Sequence, residues 1–174
     1  MITYRKATLT DVPQIYQLIS EYAREGLMLR RPLMHLYESV RDFSVAQEVP
    51  DGPVVATGGL HILWYDLAEI RSLSVRRDLA GKGIGRGLVD FLVEEARQLG
   101  VARVFALTYN RVFFEKCGFL VIKKEKLPQK VWKECIYCDK FHQCDEIAVI
   151  RYLAPPEEPE TEIPLVDMPH WTID

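Results

Sequence analysis

Four glycines alternate with larger residues immediately before a stretch whose apolar spacing predicts a helix. They are Gly81, Gly83, Gly85 and Gly87. A glycine-rich turn at a helix N-terminus exposes successive main-chain N–H groups, and the positive end of the helix dipole adds to their attraction for an anion. Because glycine has no Cβ, a phosphate can approach this main chain closely. The pattern predicts a pyrophosphate-binding turn, although a turn that only links a strand to a helix is an alternative.

Two common phosphate-binding motifs do not fit this turn. A P-loop requires Ser or Thr after its Gly-Lys pair, but Gly81-Lys82 is followed by Gly83. A dinucleotide fingerprint requires the spacing G-x-G-x-x-G and an acidic residue about 20 positions later. Here the glycines alternate, and the next predicted strand ends at Leu107-Thr108. The ligand is therefore expected to bind through a different kind of phosphate loop.

The distribution of charge favours a small anionic ligand over nucleic acid. The formal net charge of the 174 residues is −3. The last 20 residues contain six acidic residues and no Lys or Arg, which leaves 19 acidic against 22 basic residues in the rest of the chain. This positive balance is weak and scattered, unlike the basic stripe of a nucleic-acid-binding domain. The chain has no apolar run of membrane-spanning length and no signal-peptide pattern, which predicts a cytoplasmic protein.

Residues 1–153 are predicted to form one mixed α and β domain, and residues 154–174 an acidic, Pro/Glu-rich tail that is extended or disordered. Helices are predicted to begin at Val12 after the capping sequence Thr10-Asp11, to cover Leu33–Val40, to run from Ile84 towards Gly100 and to cover Val112–Cys117. Strands are predicted over Ile2–Lys6, Phe43–Val49, Val54–Trp64, Ala68–Val75, Arg103–Thr108, Phe119–Lys123 and Glu146–Leu153.

Four segments resemble the acetyl-CoA-binding core of the GNAT N-acetyltransferase superfamily and follow its order over residues 1–153. They are EIRSLSV, RRDLAGKGIG, RGLVDFL and ALT…FFEKCGF. The resemblance implies an α+β fold in α/β/α layers, with a mixed, mostly antiparallel central sheet whose splayed strands are flanked by helices. It also implies acetyl-CoA as co-substrate and direct acetyl transfer to an amine. The sequence leaves the oligomeric state open between a monomer and a homodimer, the form in which relatives commonly pair.

The resemblance assigns cofactor contacts to three segments. Leu73, Ser74 and Val75 offer main chain to the pantetheine and the acetyl carbonyl. The pyrophosphate loop is Ala80, Gly81, Lys82, Gly83, Ile84, Gly85 and Arg86, and the remaining contacts are Thr108, Asn110 and Phe114. The loop begins with Ala80 where relatives have Arg or Gln, so Arg77 or Arg86 is expected to supply the charge.

Phe114 stands where many relatives have a tyrosine that protonates the leaving thiolate. Phenylalanine has no proton to give. Tyr109 or a water molecule is expected to take this role, or the thiolate leaves towards solvent. Cys117 is interpreted as a core residue of the short helix, because direct transfer needs no nucleophilic cysteine.

Three longer segments narrow the resemblance to the short, single-domain bacterial N-acetylglutamate synthases, which acetylate the α-amine of glutamate at the start of arginine synthesis. These segments are GLMLRRPLMHLYESVRDFSVAQE, LHILWYDLAEIRSLSV and KLPQKVWKECIYCDKFHQCDE. A free amino acid, with glutamate first, is the expected acceptor. Two alternatives stay open: acetylation of another amine or of a protein N-terminus, and a non-catalytic acetyl-CoA-binding regulatory module.

Glu69 is the candidate general base, because it stands six residues before Val75 and matches the family's base glutamate on the same strand. Strand alternation predicts Glu69, Arg71 and Leu73 on one face. Arg71 and the adjacent Arg30 and Arg31 are candidates for binding the acceptor's carboxylates, since a guanidinium matches a carboxylate in pairs of hydrogen bonds. The alternative is that Glu69 and Arg71 only neutralise each other on a solvated sheet face.

A late cluster has the ligand set of a Cys₃His zinc site: Cys135, Cys138, His142 and Cys144. The C-x-x-C half has the spacing at which two thiolates reach one tetrahedral ion, whereas His142-x-Cys144 is tighter than usual. A site with four protein ligands is closed to water and therefore structural rather than catalytic. The alternative is that the cysteines are buried as small hydrophobic residues.

Elemental analysis of protein purified without chelator tests the zinc prediction. We expect about one zinc per chain, which disappears when Cys135 and Cys138 are both changed to Ser, together with a loss of thermal stability. The C117S variant is the matched control and should keep its metal. Metal-free protein with full activity and unaltered melting temperature would contradict the prediction.

Overall fold

The computed structural model describes residues 1–127 and 145–155, and in these ranges the chain forms seven strands and four α-helices. The strands are β1 Thr3–Lys6, β2 Phe43–Gln47, β3 Val54–Trp64, β4 Leu67–Val75, β5 Arg103–Thr108, β6 Leu120–Ile122 and β7 Ile147–Tyr152. The helices are α1 Val12–Arg24, α2 Leu33–Glu38, α3 Ile84–Gln98 and α4 Arg111–Lys116. No helix in these ranges is long and apolar enough to cross a membrane.

The predicted zinc ligands Cys135, Cys138, His142 and Cys144 lie outside the described residues, as does most of the predicted tail. Both stay predictions.

The strands form one sheet in the order β1-β2-β3-β4-β5-β7-β6. The pair β4–β5 is parallel, and the other five neighbouring pairs are antiparallel. Helix α3 packs its apolar stripe on one face, where Leu88 and Leu92 are fully buried. Helices α1 and α2 cover the other face with a second core that includes Ile15 and Leu36. The three-layer α+β fold predicted above is therefore confirmed.

The start of α1 depends on a carboxylate. Asp11 Oδ2 accepts a hydrogen bond from the main-chain N–H of Thr8 at 2.8 Å. The Arg5 guanidinium donates two hydrogen bonds to the same carboxylate, of 2.7 and 2.9 Å. These hydrogen bonds from Arg5 hold the pKa of Asp11 below its ordinary value. The helix begins at Val12 after Asp11, as predicted, and the side chain of Asp11 makes its capping interaction with Thr8.

A bulge in β4 changes which side chains face the active site. Thr57 pairs with Ser74 and Gly59 with Arg71, so two residues of β4, Ser72 and Leu73, lie opposite the single residue Gly58. Ser72 has a left-handed φ of 57°, as is common where a strand carries an extra residue.

The bulge corrects the prediction that Glu69, Arg71 and Leu73 share one face. The extra residue shifts the alternation by one, so Leu73 turns towards α3. Its Cδ1 lies only 3.0 Å from the point where a Cβ of Gly58 would be, beside Leu88 and Leu92. Its main chain remains at the opening between β4 and β5.

Strands β4 and β5 pair over three residues and then diverge. The register joins Leu67 to Arg103, Ala68 to Val104 and Glu69 to Phe105. Beyond Glu69 the two strands separate, because β5 continues to pair with β7 up to Thr108 while β4 follows β3. A wedge-shaped opening therefore lies between two strand ends in the middle of the sheet.

Candidate active site

A cavity of about 630 Å³ occupies the opening between β4 and β5. Its walls come from the end of β4, the glycine-rich turn, the end of β5 with α4, and the α1–α2 loop. Most of the residues that the resemblance assigns to cofactor binding line this cavity. They are Leu73, Val75, Ala80, Gly81, Gly83, Ile84, Gly85, Arg86, Thr108, Asn110 and Phe114. The structure thus brings three distant segments of the sequence to one site.

The four glycines divide into two pairs with different roles. Gly81 and Gly83 have φ values of 79° and 83°, and a Cβ at either position would meet no atom within 4 Å. The turn is therefore left-handed and open, which is what an incoming phosphate requires. Gly87 is needed for packing instead, because its Cβ would lie 2.0 Å from the Tyr4 hydroxyl. Gly85 is similarly enclosed by Val75 and Phe113.

Three cationic side chains line the part of the cavity around the turn: Arg77, Arg86 and Lys116. The guanidinium of Arg77 stacks on the ring of Tyr22, with its carbon 4.0 Å from the ring centroid, and also forms an ion pair with Glu25. Ala80 has no charge where the resembling family has Arg or Gln. Arg77 and Arg86, on either side of the glycine-rich turn in sequence, supply positive charge to the cavity instead.

At the edge of β4 that faces the opening, one main-chain carbonyl already accepts a hydrogen bond from within the protein. Arg76 donates its N–H to Val55 O across the β3–β4 ladder, so Val75 directs its carbonyl to the other side. There the Tyr22 hydroxyl donates to Val75 O at 2.7 Å. From the α1–α2 loop, Met28 Sδ lies 3.4 Å from the hydroxyl of the buried Ser74. The C-terminal end of α1 and the following loop therefore close one side of the cavity.

The opposite wall is built by the end of β5 and by α4. Asn110 caps α4, since its Oδ1 accepts the N–H of Phe113 at 3.2 Å, and its own N–H donates to Thr108 Oγ1 at 2.8 Å. Phe114 is buried against Phe119 and contributes no polar atom. Tyr109 also lines the cavity.

Cys117 also borders the cavity, but it packs in the α3 core with 4% of its surface exposed. Burial raises the pKa of its thiol, which disfavours the thiolate that a nucleophile requires. This agrees with its interpretation as a core residue.

Glu69 lies at the apex of the opening. It is the last residue of β4 that is in register with both neighbours, Phe105 on β5 and His61 on β3. Its neighbours in sequence, Ala68 and Ile70, belong to the α3 core, so the Glu69 side chain is on the α1–α2 face. Glu69 itself stands beside the cavity lining, which begins at Ile70 and Arg71 on this strand.

Arg71 shares that face with Glu69. It is 8% exposed, lines the cavity, and its Nη2 lies 4.0 Å from Asp42 Oδ2. The residue opposite Arg71 is Gly59, which leaves room for the guanidinium to extend over β3 towards Asp42. Asp42, in the turn after α2, is therefore one acidic neighbour of Arg71.

The structure separates the two adjacent arginines of the α1–α2 loop. Arg31 is buried, with 7% of its surface exposed, whereas Arg30 is exposed. Leu27 and Met28 of the same loop line the cavity. Arg31 is not itself among the residues that line the cavity. Of the two arginines it is the stronger candidate for recognising an anion, because a buried charge is little screened by water.

Sequence reasoning did not assign Tyr22, Met28 or Glu146 to the site, although all three line the cavity. Tyr22 falls on the apolar stripe of α1 and resembles an ordinary core residue. Met28 lies in a loop, and Glu146 immediately precedes β7. Residue type and spacing carry no signal for these positions, since the folding of α1 and β7 against the open strand ends brings them there.

The chain is similar to known acetyltransferases over most of its length. The acetyltransferase (GNAT) family model matches residues 12–119. An uncharacterized N-acetyltransferase of Chlorobaculum tepidum is 41% identical over 86% of this chain and 95% of its own length. The amino-acid acetyltransferase of Mycobacterium tuberculosis is 43% identical over 75% of each chain. The chain spans only 29% of a longer amino-acid acetyltransferase from Pasteurella multocida, at 27% identity.

Solved structures agree with these relatives. A protein of Mycobacterium tuberculosis in complex with coenzyme A superposes with a TM-score of 0.74 and 37% identity, over 87% of this chain and 99% of its own. The N-acetylglutamate synthase of Neisseria gonorrhoeae, in complex with coenzyme A and N-acetyl-glutamate, has a TM-score of 0.79 and 25% identity over 89% of this chain and 36% of its own. The chain belongs to the GNAT acetyltransferase family and is an acyltransferase.

Proposed function

We propose that this protein transfers the acetyl group of acetyl-CoA to the α-amine of L-glutamate, the first step of arginine biosynthesis. The observation that carries the proposal is the opening between β4 and β5, which combines an open glycine turn with the buried Arg71 on the acceptor face. The relatives named amino-acid acetyltransferase and the coenzyme A complexes support the same reaction.

Acetyl-CoA binding is assigned to the turn and the end of β4. The diphosphate lies against Gly81 and Gly83, with Arg77 and Arg86 supplying positive charge. The pantetheine lies in the opening between β4 and β5, where it takes the position of a strand. Its amide groups form hydrogen bonds with the main chain near Leu73 and Val75. The bulge at Ser72 leaves main-chain groups outside the ladder with β3, so they are available to the thioester.

The chemistry is a direct transfer. The α-ammonium of the acceptor loses a proton to Glu69 through a water molecule, and the free amine attacks the thioester carbonyl. The new C–N bond forms, the C–S bond breaks, and the coenzyme A thiolate takes up a proton. Phe114 cannot donate it, so the proton comes from water or from Tyr109, which lines the cavity and is then reprotonated by solvent.

The acceptor's carboxylates are assigned to Arg71 and Arg31. Both arginines are more than 90% buried, at 8% and 7% exposure; Arg31 belongs to the α1–α2 loop and Arg71 lies on the sheet face that this loop and its helices cover. An acidic amino acid presents two carboxylates, and two guanidiniums can each form paired hydrogen bonds with one of them. Glutamate therefore fits this set better than an amino acid with an apolar side chain.

Release of coenzyme A over a panel of free amino acids and short peptides tests the proposed function. We expect turnover with L-glutamate at a kcat/KM at least about tenfold above that with glutamine or aspartate, since a site built for a given polar group rejects analogues that leave its donors unpaired. Turnover with peptides alone would favour a protein N-terminal acetyltransferase. Turnover with neither class would contradict the proposal.

Replacing Arg31 with Ala should raise KM for glutamate by about 10- to 100-fold. This is the loss of affinity expected when a buried pair of charge-assisted hydrogen bonds is removed. The KM for acetyl-CoA should stay nearly unchanged. The neighbouring R30A variant is the matched control, and because Arg30 is exposed we expect less than about a threefold effect. Steady-state kinetics with either substrate varied checks both values, and equal effects of R30A and R31A would contradict the assignment of Arg31.

Glu25 and the coenzyme's diphosphate compete for Arg77, so changing Glu25 to Gln should tighten coenzyme A binding. The groups are about half exposed, which limits the expected gain to about two- to fivefold. Calorimetric titration with coenzyme A measures it. Pantetheine, which lacks the diphosphate, should bind both proteins equally. The E94Q variant breaks a similarly exposed pair with Arg97 on α3 and serves as control. Weaker binding by E25Q would contradict the competition.

A further inference from the structure

A second polar cluster lies next to the proposed general base, and the mechanism above does not use it. His61 on β3 and Asp42 in the turn after α2 form a hydrogen bond of 2.8 Å between Nδ1 and Oδ2. Asp42 Oδ2 is also the atom 4.0 Å from Arg71 Nη2. The surrounding α1–α2 face is otherwise largely apolar core, with Phe43 and Val45 buried nearby.

The Asp42 carboxylate determines which nitrogen of His61 is available. A carboxylate accepts hydrogen bonds, so Nδ1 carries the hydrogen and Nε2 is the basic nitrogen of the neutral ring. The side chain of His61 is 33% exposed and that of Asp42 is 28% exposed. Asp42 therefore orients the ring, while water can still reach the imidazole.

The register of the sheet places this pair beside Glu69. His61 and Glu69 are directly opposite each other in the antiparallel β3–β4 pair. Directly opposite residues point to the same face with their Cβ atoms about 5 Å apart, so one water molecule can contact both side chains. The charged and titratable groups near His61 include Asp42, which immediately precedes β2, and Glu69 and Arg71 on β4.

A carboxylate alone is a weak base for this reaction. The group that must lose a proton is an ammonium, and an imidazole is the stronger of the two bases by about two pKa units in model compounds. General-base catalysis is most efficient when the base titrates near the working pH.

We propose that His61, oriented by Asp42, is a second proton-accepting group of the active site and acts through the water that Glu69 also contacts. The proton of the α-ammonium passes to this water as the water gives one proton to His61 Nε2. The amine lone pair then forms the C–N bond, the C–S bond breaks, and the thiolate is protonated from Tyr109 or solvent. The imidazolium returns its proton to solvent. This inference rests on the acetyl transfer to an amino acid proposed above.

The test compares H61A with wild-type enzyme and with H35A, which removes a histidine from α2 as matched control. We expect H61A to lower kcat about tenfold or more at unchanged KM for both substrates, and added imidazole to restore part of kcat in a concentration-dependent way. H35A should keep its kcat and show no response to imidazole. D42N should lower kcat in the same direction, because the ring loses its orienting acceptor.

A double-mutant cycle separates a shared role from two independent ones. If Glu69 and His61 act through one water, the E69Q/H61A enzyme should lose less than the product of the two single losses. An unchanged kcat in H61A would overturn the proposal, as would a loss of kcat that imidazole does not restore and that accompanies a lower melting temperature. A wild-type enzyme without amino-acid turnover would instead contradict the proposed function, which the panel assay decides separately.

Discussion

The active site depends on the early divergence of two parallel strands. Strands β4 and β5 pair only as far as Glu69 and Phe105, and beyond this point no strand within residues 1–127 and 145–155 fills the space between them. A main-chain group left unpaired in a protein interior is costly, so something other than a strand must satisfy it. The Tyr22 hydroxyl takes one such carbonyl, that of Val75. The remaining edge is suited to an extended ligand with amide groups of its own, which is the chemical character of pantetheine.

The bulge at Ser72 solves a second problem at the same place. In a strand of strict alternation Glu69, Arg71 and Leu73 would share one face, and the apolar Leu73 would then lie among charged side chains. The extra residue opposite Gly58 returns Leu73 to the α3 core while Glu69 and Arg71 stay on the α1–α2 face. One irregular position thus lets a single strand contribute both to the hydrophobic core and to a charged face beside the cavity.

The end of α1 contacts both the end of β4 and Arg77, and it leads into the α1–α2 loop. Tyr22 contacts the β4 edge with its hydroxyl and Arg77 with its ring, while Glu25, three residues later, forms an ion pair with the same guanidinium. The α1–α2 loop that follows carries Met28 against Ser74 and buries Arg31. These contacts converge on the last residues of β4 and on Arg77, so the end of α1 and the following loop are tied to the strand end that borders the cavity.

The sequence by itself determined the order of elements, the glycine turn and the family. These features are local: apolar spacing places α1 and α3, Gly100 ends α3 with a φ of 82°, and the Arg103–Thr108 strand has the predicted bounds. Register and tertiary contacts were decided only by the structure. The bulge at Ser72 follows from the pairing of β3 with β4, and the approach of Tyr4 to Gly87 joins residues more than 80 positions apart. The same holds for the pairing of His61 with Glu69 and for the burial that distinguishes Arg31 from Arg30. Each depends on which distant segment lies opposite, and the spacing of residue types along one chain does not contain that information.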